Sequence, residues 1–305
     1  MKLPQALKPI LHPILSRTPV GDADRYLLEL DLGRGVSETP PTNPLQALTK
    51  MHTPQLRTLV SQLKKAATDD AVVGLIAQIA APPLTLAQSG ELRDAVATFR
   101  ETGKPTLVFS PSFGELTPGT TGYHLASAFE EIWLQPSGAV GLVGFAGEAM
   151  TVRGTLDLLQ VEPQFGQRHE FKTAADTFMA HEITAPHREM LTRLLVSATD
   201  TVVADVAHGR RLTTDHVRAI IDGGPLGAAA AQRAGLIDKI GYRDEAYAAI
   251  RSRLSSQPGR PVPEPELRYV ERWGAGPFDA LLGGGGPLPS RKPVIALVTA
   301  AGPIA

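Results

Sequence analysis

Val72-Val73-Gly74-Leu75-Ile76-Ala77-Gln78-Ile79 is a short apolar run with almost no polar alternation. A segment of strand length that stays apolar on both faces suits a strand buried on both sides, as in a parallel sheet. The neighbouring segments repeat the theme. Upstream, Tyr26-Leu27-Leu28-Glu29-Leu30-Asp31-Leu32 reads as a first strand, and Leu56, Leu59, Val60 and Leu63 recur at helical spacing. Downstream, Ser89 is placed to cap a helix over residues 89–100, Gly103 and Lys104-Pro105 end it, and Thr106-Leu107-Val108-Phe109-Ser110 reads as the next strand. Residues 122–129 predict a short helix and Ile132-Trp133-Leu134 a strand. Short strands are expected over residues 140–145 and at Gln164-Phe165, with a helix over residues 151–160 between them. Alternating strands and helices of this kind predict an α/β fold with a largely parallel sheet.

From Pro186 the pattern becomes helical. Met190, Leu191, Leu194, Leu195, Ala198, Val202 and Val206 fall on or near one face of a single helix over residues 186–208. Thr213-Thr214-Asp215 opens another helix, residues 226–234 are alanine-rich and closed by Gly235, and residues 242–254 predict a further helix. Gly283-Gly284-Gly285-Gly286-Pro287 reads as a flexible linker, because no Lys-Ser/Thr and no helix follow to make a phosphate cradle. Beyond it, Lys292-Pro293-Val294-Ile295-Ala296-Leu297-Val298-Thr299 is an apolar strand like that of residues 26–32, six residues short of Ala305. It reads as the start of a second copy of the α/β unit; the alternative is a terminal strand that pairs back onto the first sheet. The expected organisation is an N-terminal extension (1–24), an α/β core (25–180), a helical segment (181–256), a linker (257–292) and the start of a truncated second repeat (293–305).

Composition narrows the function classes. The 305 residues are 43% hydrophobic and 20% charged, which suits a soluble globular chain with a sizeable core. A formal net charge of -1 gives no global field for nucleic acid or an anionic membrane. With no cysteine there is no disulfide, thiolate metal site or cysteine nucleophile, and the eight histidines show no HExxH-like spacing. Three prolines interrupt the first fifteen residues, which lack the continuous apolar region of a signal peptide. No stretch approaches the roughly 18 apolar residues of a spanning helix. The expected location is cytoplasmic or membrane-associated, with at most an amphipathic contact at a membrane surface. No cofactor is implied.

One residue stands out chemically. Lys172 lies in Gln167-Arg168-His169-Glu170-Phe171-Lys172-Thr173-Ala174-Ala175-Asp176, where Thr173 and Asp176 have the T-x-x-D spacing of a helix start. The positive end of a helix dipole and the apolar Phe171, Ala174 and Ala175 would both disfavour the charged ammonium. A general base must be neutral, and at a free pKa of about 10.4 roughly one lysine in two thousand is neutral at pH 7. On spacing alone, a solvated lysine ahead of a helix is the favoured reading of the segment.

The order of several such pieces resembles the signal peptide peptidase A (protease IV) family in its long two-repeat form. The resemblance is carried by Gly103-Lys104-Pro105, Gly122-Tyr123-His124-Leu125-Ala126-Ser127, Glu131-Ile132-Trp133-Leu134-Gln135-Pro136-Ser137-Gly138, Val140-Gly141-Leu142-Val143-Gly144-Phe145, Phe171-Lys172-Thr173-Ala174-Ala175 and Ala234-Gly235-Leu236-Ile237-Asp238. It covers about residues 25–255. It implies a crotonase/ClpP-like core, homo-oligomers, cleaved signal peptides as peptide substrates, and a serine–lysine dyad split between the repeats. Lys172 matches the family's lysine in the first repeat, so the resemblance makes it the general base; the second repeat supplies the serine.

The chain departs from that pattern. The second repeat stops within its first strand, so no nucleophilic serine follows. The place of a first-repeat nucleophile reads Thr117-Pro118-Gly119-Thr120, and that of an oxyanion loop reads Ala80-Ala81-Pro82-Pro83, where the prolines have no N–H to donate. Ser110 and Ser112 read as loop residues at a strand end. The expected function is therefore the lysine-bearing half of a signal-peptide-degrading serine endopeptidase, inactive alone. The alternatives are a non-catalytic assembly module and, more weakly, an acyl-CoA enzyme of the crotonase type, for which no suitable carboxylate pair is in sight.

Overall fold

A computed structural model of the chain describes residues 25–39, 53–80, 84–114, 119–257 and 260–273. The N-terminal extension, the glycine-rich linker and the apolar strand at residues 294–299 lie outside these residues.

Four apolar runs form the middle of one sheet: β1 (Tyr26–Asp31), β2 (Val72–Gln78), β3 (Thr106–Ser110) and β4 (Glu131–Leu134). The full order is β10-β1-β2-β3-β4-β7, with every neighbouring pair parallel. Helix α1 (Leu56–Thr68) and helix α2 (Leu86–Glu101) carry the chain between the first three strands. Leu59, Leu63, Leu92, Val96 and Phe99 of these helices join Leu28, Leu30, Leu75 and Val108 in the larger core cluster. Alternate residues of the same strands, Leu27, Ile76, Leu107 and Phe109, meet Ala246, Ile250 and Leu254 of a later helix on the opposite face. Both faces are thus covered, which is why these strands carry so little polar alternation.

Helix α2 begins three residues before the sequence expectation. Thr85 is its N-cap, and Thr85 and Gln88 exchange side chain–backbone hydrogen bonds in a capping box. Ser89 is not a cap; its side chain is turned inward and fully buried. Helix α3 (Thr120–Ala126) follows β3, and β5 (Ala139–Val140) follows β4. The strand expected over residues 140–145 stops after Val140. Beyond that point Gly141 bonds to loop backbone instead of a ladder, donating to Phe113 and accepting from Gly119. A Cβ on Gly119 would lie 1.9 Å from the Phe113 carbonyl oxygen, so this crossing of two loops requires glycine.

Residues 145–201 leave the core. Within them lie α4 (Arg153–Leu158), a 3-10 turn (Thr173–Ala175), α5 (Asp176–Met179) and most of α6 (Ala185–Arg210). Gln164 and Phe165 form no strand: this stretch has no neighbouring strand to pair with. Helix α6 has Pro186 in its first turn, where the missing N–H costs nothing. Only Val202, Val203, Val206 and Ala207, near its end, are buried. The stripe expected to pack along the whole helix therefore splits, and Leu194 remains 62% exposed.

The chain then returns through α7 (Thr214–Asp222), β6 (Leu226–Gly227), α8 (Ala228–Arg233), β7 (Lys239–Ile240) and α9 (Arg243–Ser255). Thr213 caps α7 as expected, accepting from the His216 N–H, and Gly235 closes α8 at φ +76°. Strand β6 pairs antiparallel with β5. A small ribbon, β8 (Ser256–Gln257) with β9 (Arg260–Pro261), precedes β10 (Glu266–Tyr269). Strand β10, in the segment read as a linker, extends the sheet beside β1. Helix α9 is tied to the sheet by the buried Glu29 carboxylate, which accepts from Tyr247 Oη and Arg243 Nη2.

Candidate functional site

Lys172 precedes the 3-10 turn at Thr173–Ala175. The expected N-cap at Thr173 does not form. Lys172 occupies the cap position, and Thr173 is a buried residue inside the turn. Upstream, His169 adopts the left-handed region at φ 66°, and its carbonyl accepts from the Lys172 N–H at 3.3 Å. The Gln167 side-chain amide bridges the His169 and Glu170 carbonyls. Phe165 and Phe178 stack at 5.3 Å between centroids, closing the base of the loop. The lysine side chain itself is exposed, as are Phe171 and Ala174. Among the described residues its ammonium has no ion pair or hydrogen bond. The apolar surround expected from Phe171, Ala174 and Ala175 is therefore not assembled here: Phe171 and Ala174 are exposed and only Ala175 is half-buried.

The other expected positions lie elsewhere. Gly119 and Thr120 stand at the start of α3, while Thr117, Pro118, Ala81, Pro82 and Pro83 fall outside the described residues. The Gly119 N–H is committed to the Gly141 carbonyl at 3.0 Å. The Thr120 hydroxyl donates to the Gly144 carbonyl at 3.0 Å and accepts from the Val143 N–H. This helix start is thus closed by backbone of residues 141–144, and the Thr120 hydroxyl is not free. Ser110 Oγ donates to the Ser112 carbonyl, and Ser112 Oγ both donates to the Ala139 carbonyl and accepts from its N–H. Ser112 is a loop residue, as the sequence suggested, whereas Ser110 is the last residue of β3; both hydroxyls are engaged with backbone. No hydrogen bond links any of these hydroxyls to Lys172.

A serine–histidine–aspartate arrangement does exist, at a place the sequence pattern does not single out. Ser89 Oγ lies 2.7 Å from His124 Nδ1, and His124 Nε2 lies 2.7 Å from Asp205 Oδ2. An ionised carboxylate only accepts, so Nε2 carries the proton. The single proton of the Ser89 hydroxyl is shared between two acceptors, the Thr121 carbonyl at 2.9 Å and Nδ1. Burial holds the His124 pKa below its ordinary value, against the opposing pull of Asp205, which keeps the ring neutral. Beside it, Arg93 donates to Ser127 Oγ and to the His124 and Asp205 carbonyls, and its Nε is 3.5 Å from Asp205 Oδ2. The residue types are those of a catalytic triad, but the ring nitrogens are exchanged: Nδ1 faces the serine and Nε2 the aspartate. The access is not: Ser89 is 0% exposed and His124 is 1% exposed, so no substrate carbonyl reaches the hydroxyl. The group joins α2, α3 and the end of α6, and it acts as a clamp. Its only sequence signal was Ser89 itself, which looked like a cap because its inward orientation is set by tertiary packing.

Residues 86–256 match the model of Peptidase family S49. A putative signal peptide peptidase SppA from Enterococcus faecium is 22% identical over 76% of this chain and 64% of its own length. A chloroplastic serine protease SPPA from Arabidopsis thaliana is 25% identical over 70% of this chain and 31% of its own length. Protease 4 from Salmonella typhi is 26% identical over 65% of this chain and 34% of its own length. The chain thus spans between about a third and two-thirds of these relatives. Among solved structures, an enoyl-CoA hydratase/isomerase family protein from Silicibacter pomeroyi superimposes with TM-score 0.40 and 15% identity over 75% of this chain and 78% of that one. More than half of the sequence lies within the family match, and the chain belongs to peptidase family S49.

Proposed function

We propose that this chain is the lysine-bearing part of a serine endopeptidase that degrades cleaved signal peptides, with Lys172 as general base and the serine supplied from outside residues 1–305. The observation that carries the proposal is Lys172 itself. It lies inside the family match, at the tip of a braced loop, exposed and uncommitted to any partner among the described residues. A base that must meet a hydroxyl from another segment needs this freedom. Docking of that segment over Phe171, Ala174 and Lys172 would supply the desolvation that favours a neutral amine. The hydroxyls near the start of α3 support the same division of labour, since Thr120, Ser110 and Ser112 are all engaged with backbone. Homo-oligomerisation and contact with a membrane surface belong to the same proposal. No helix among the described residues is long and apolar enough to cross a membrane.

The test is substitution of Lys172 in the full-length protein. Lys172→Ala should abolish peptide hydrolysis without loss of folding. Lys172→Arg should be equally inactive, because a guanidinium keeps its proton at any usable pH. Activity retained by the arginine variant would reject the general-base role. A second reading, a non-catalytic assembly module, is favoured by one observation: the exposed apolar surface of residues 145–201, including Met150, Leu158, Leu159 and Leu194. Labelling by a fluorophosphonate separates the two, since only a completed serine peptidase would react.

A further inference from the structure

Between residues 145 and 201 nearly every side chain is exposed or half-exposed, and the two buried exceptions are Thr173 and Asp176. Both flank Lys172. The arm's small interior is thus centred on the lysine turn. Asp176 opens α5, is 8% exposed, and accepts a 2.6 Å hydrogen bond on Oδ2 from Thr184 Oγ1. Thr184 is the N-cap residue of α6, yet its hydroxyl caps no helix N–H; it is given to Asp176 instead. A second tie, from the Val152 N–H to the Thr177 carbonyl at 2.7 Å, holds the same turn against the segment entering the arm. Helix α6 is anchored in the core at Val202, Val203 and Val206. A continuous line of hydrogen-bonded and helical structure therefore runs from the core, along α6, through Thr184 and Asp176 to the turn that carries Lys172.

We propose that Asp176 is a positioning residue for Lys172, latching the lysine turn to the start of α6 through Thr184. The proposal rests on the general-base reading of Lys172. A short buried carboxylate–hydroxyl bond fixes both partners' rotamers. It offsets the loss of a cap on α6 by removing the freedom of the turn to swing about its exposed loop. What the latch needs is an acceptor at the Asp176 position and a donor at Thr184; a net charge is not required, so asparagine with its side-chain carbonyl can take over.

The experiment uses the full-length enzyme, with Asp176→Ala, Asp176→Asn, Thr184→Val and Lys172→Arg measured together. Asp176→Ala and Thr184→Val should each lower kcat by about a hundredfold with KM unchanged, the scale expected when a catalytic group is displaced by about 1 Å. The acidic limb of the pH–rate profile should also move to higher pH, because a loosened lysine stays hydrated and keeps its proton longer. A merely structural loss would lower the active fraction and leave that limb in place. Asp176→Asn should retain wild-type kcat and profile. Wild-type kcat and an unmoved limb in both Asp176→Ala and Thr184→Val overturn the latch, as does an asparagine variant as impaired as alanine. If Asp176→Ala fails to fold, Thr184→Val decides alone. Activity in Lys172→Arg removes the general-base reading itself, whereas an inactive arginine variant beside normal latch variants removes only the positioning role.

Discussion

The residues that hold this molecule together and those proposed to act are different sets. His124 is the clearest case. Its ring is buried between Ser89 and Asp205, with Arg93 and Asp94 as the other charges bearing on it, and burial lowers its pKa. A histidine whose folded pKa lies below the unfolded value of about 6.5 binds fewer protons in the native state. Its contribution to stability is therefore complete above about pH 6.5 and is lost as pH falls from there through the depressed native pKa. Thermal or urea unfolding should show a stability decline below about pH 6.5, and His124→Gln should flatten that decline. An identical slope in the variant would show that other groups govern it. Asp205→Ala should cost about 2 kcal/mol at neutral pH, because it leaves the imidazole N–H and the Arg93 guanidinium short of an acceptor. Urea midpoints at constant m would measure it. None of these changes should move the pH–rate profile of the completed enzyme, which separates the clamp from the lysine.

At the scale of elements, legibility tracked burial on both faces. Strands β1 to β4 are apolar on each side, so their sequences announce them. Strands β7 and β10 lie at the two edges of the sheet and read Lys239-Ile240 and Glu266-Leu267-Arg268-Tyr269, which carry no apolar run. They are fixed by tertiary contacts: Asp238, next to β7, accepts from the Ile132 N–H and pairs with Arg210, and Arg268 stacks on Tyr26 at 4.3 Å. Edge strands with charged residues are a common defence against edge-to-edge pairing, and that defence also hides them from a pattern search. The start of α2 was missed for a local reason. Thr85 and Gln88 have capping-box spacing, but Ser89 offered a competing cap within the same turn, and only packing shows that it points inward. Thr85→Ala should cost about 1 kcal/mol as a lost cap. Ser89→Ala should destabilise by a different route, removing the buried hydroxyl that faces His124 Nδ1 and the Thr121 carbonyl, and part of its cost should depend on His124. A double-mutant cycle between Ser89 and His124 should thus show coupling, while one between Thr85 and His124 should not.

At the scale of the whole molecule, the chain divides into a closed core and an open arm. The core clusters draw on residues up to Phe145 and from Val202 onward, with none from residues 146–201 between. The sequence could not reveal this. The helical stripe of α6 looks uniform from Met190 to Val206, and only the fold shows that its second half meets the core while Leu194 and Val196 stay 62% and 50% exposed. Met150, Leu158, Leu159 and Val161 add to the same open surface, with Leu158 at 87% exposure. Exposed apolar area on this scale marks an interaction surface. If the arm carries Lys172 to a nucleophile on another segment, and if copies of the chain associate, both contacts fall on this region. Sedimentation velocity should then show the isolated chain in a concentration-dependent oligomer. Leu158→Glu combined with Leu194→Glu should shift it to monomer. Because neither residue belongs to a core cluster, the thermal midpoint of the monomer should not fall below that of the unmodified chain extrapolated to infinite dilution. A chain that is monomeric across the accessible concentration range would assign the open surface to the nucleophile-bearing segment alone. A charge pair that dissociated the oligomer only by unfolding it would place Leu158 and Leu194 in a core the structure does not contain.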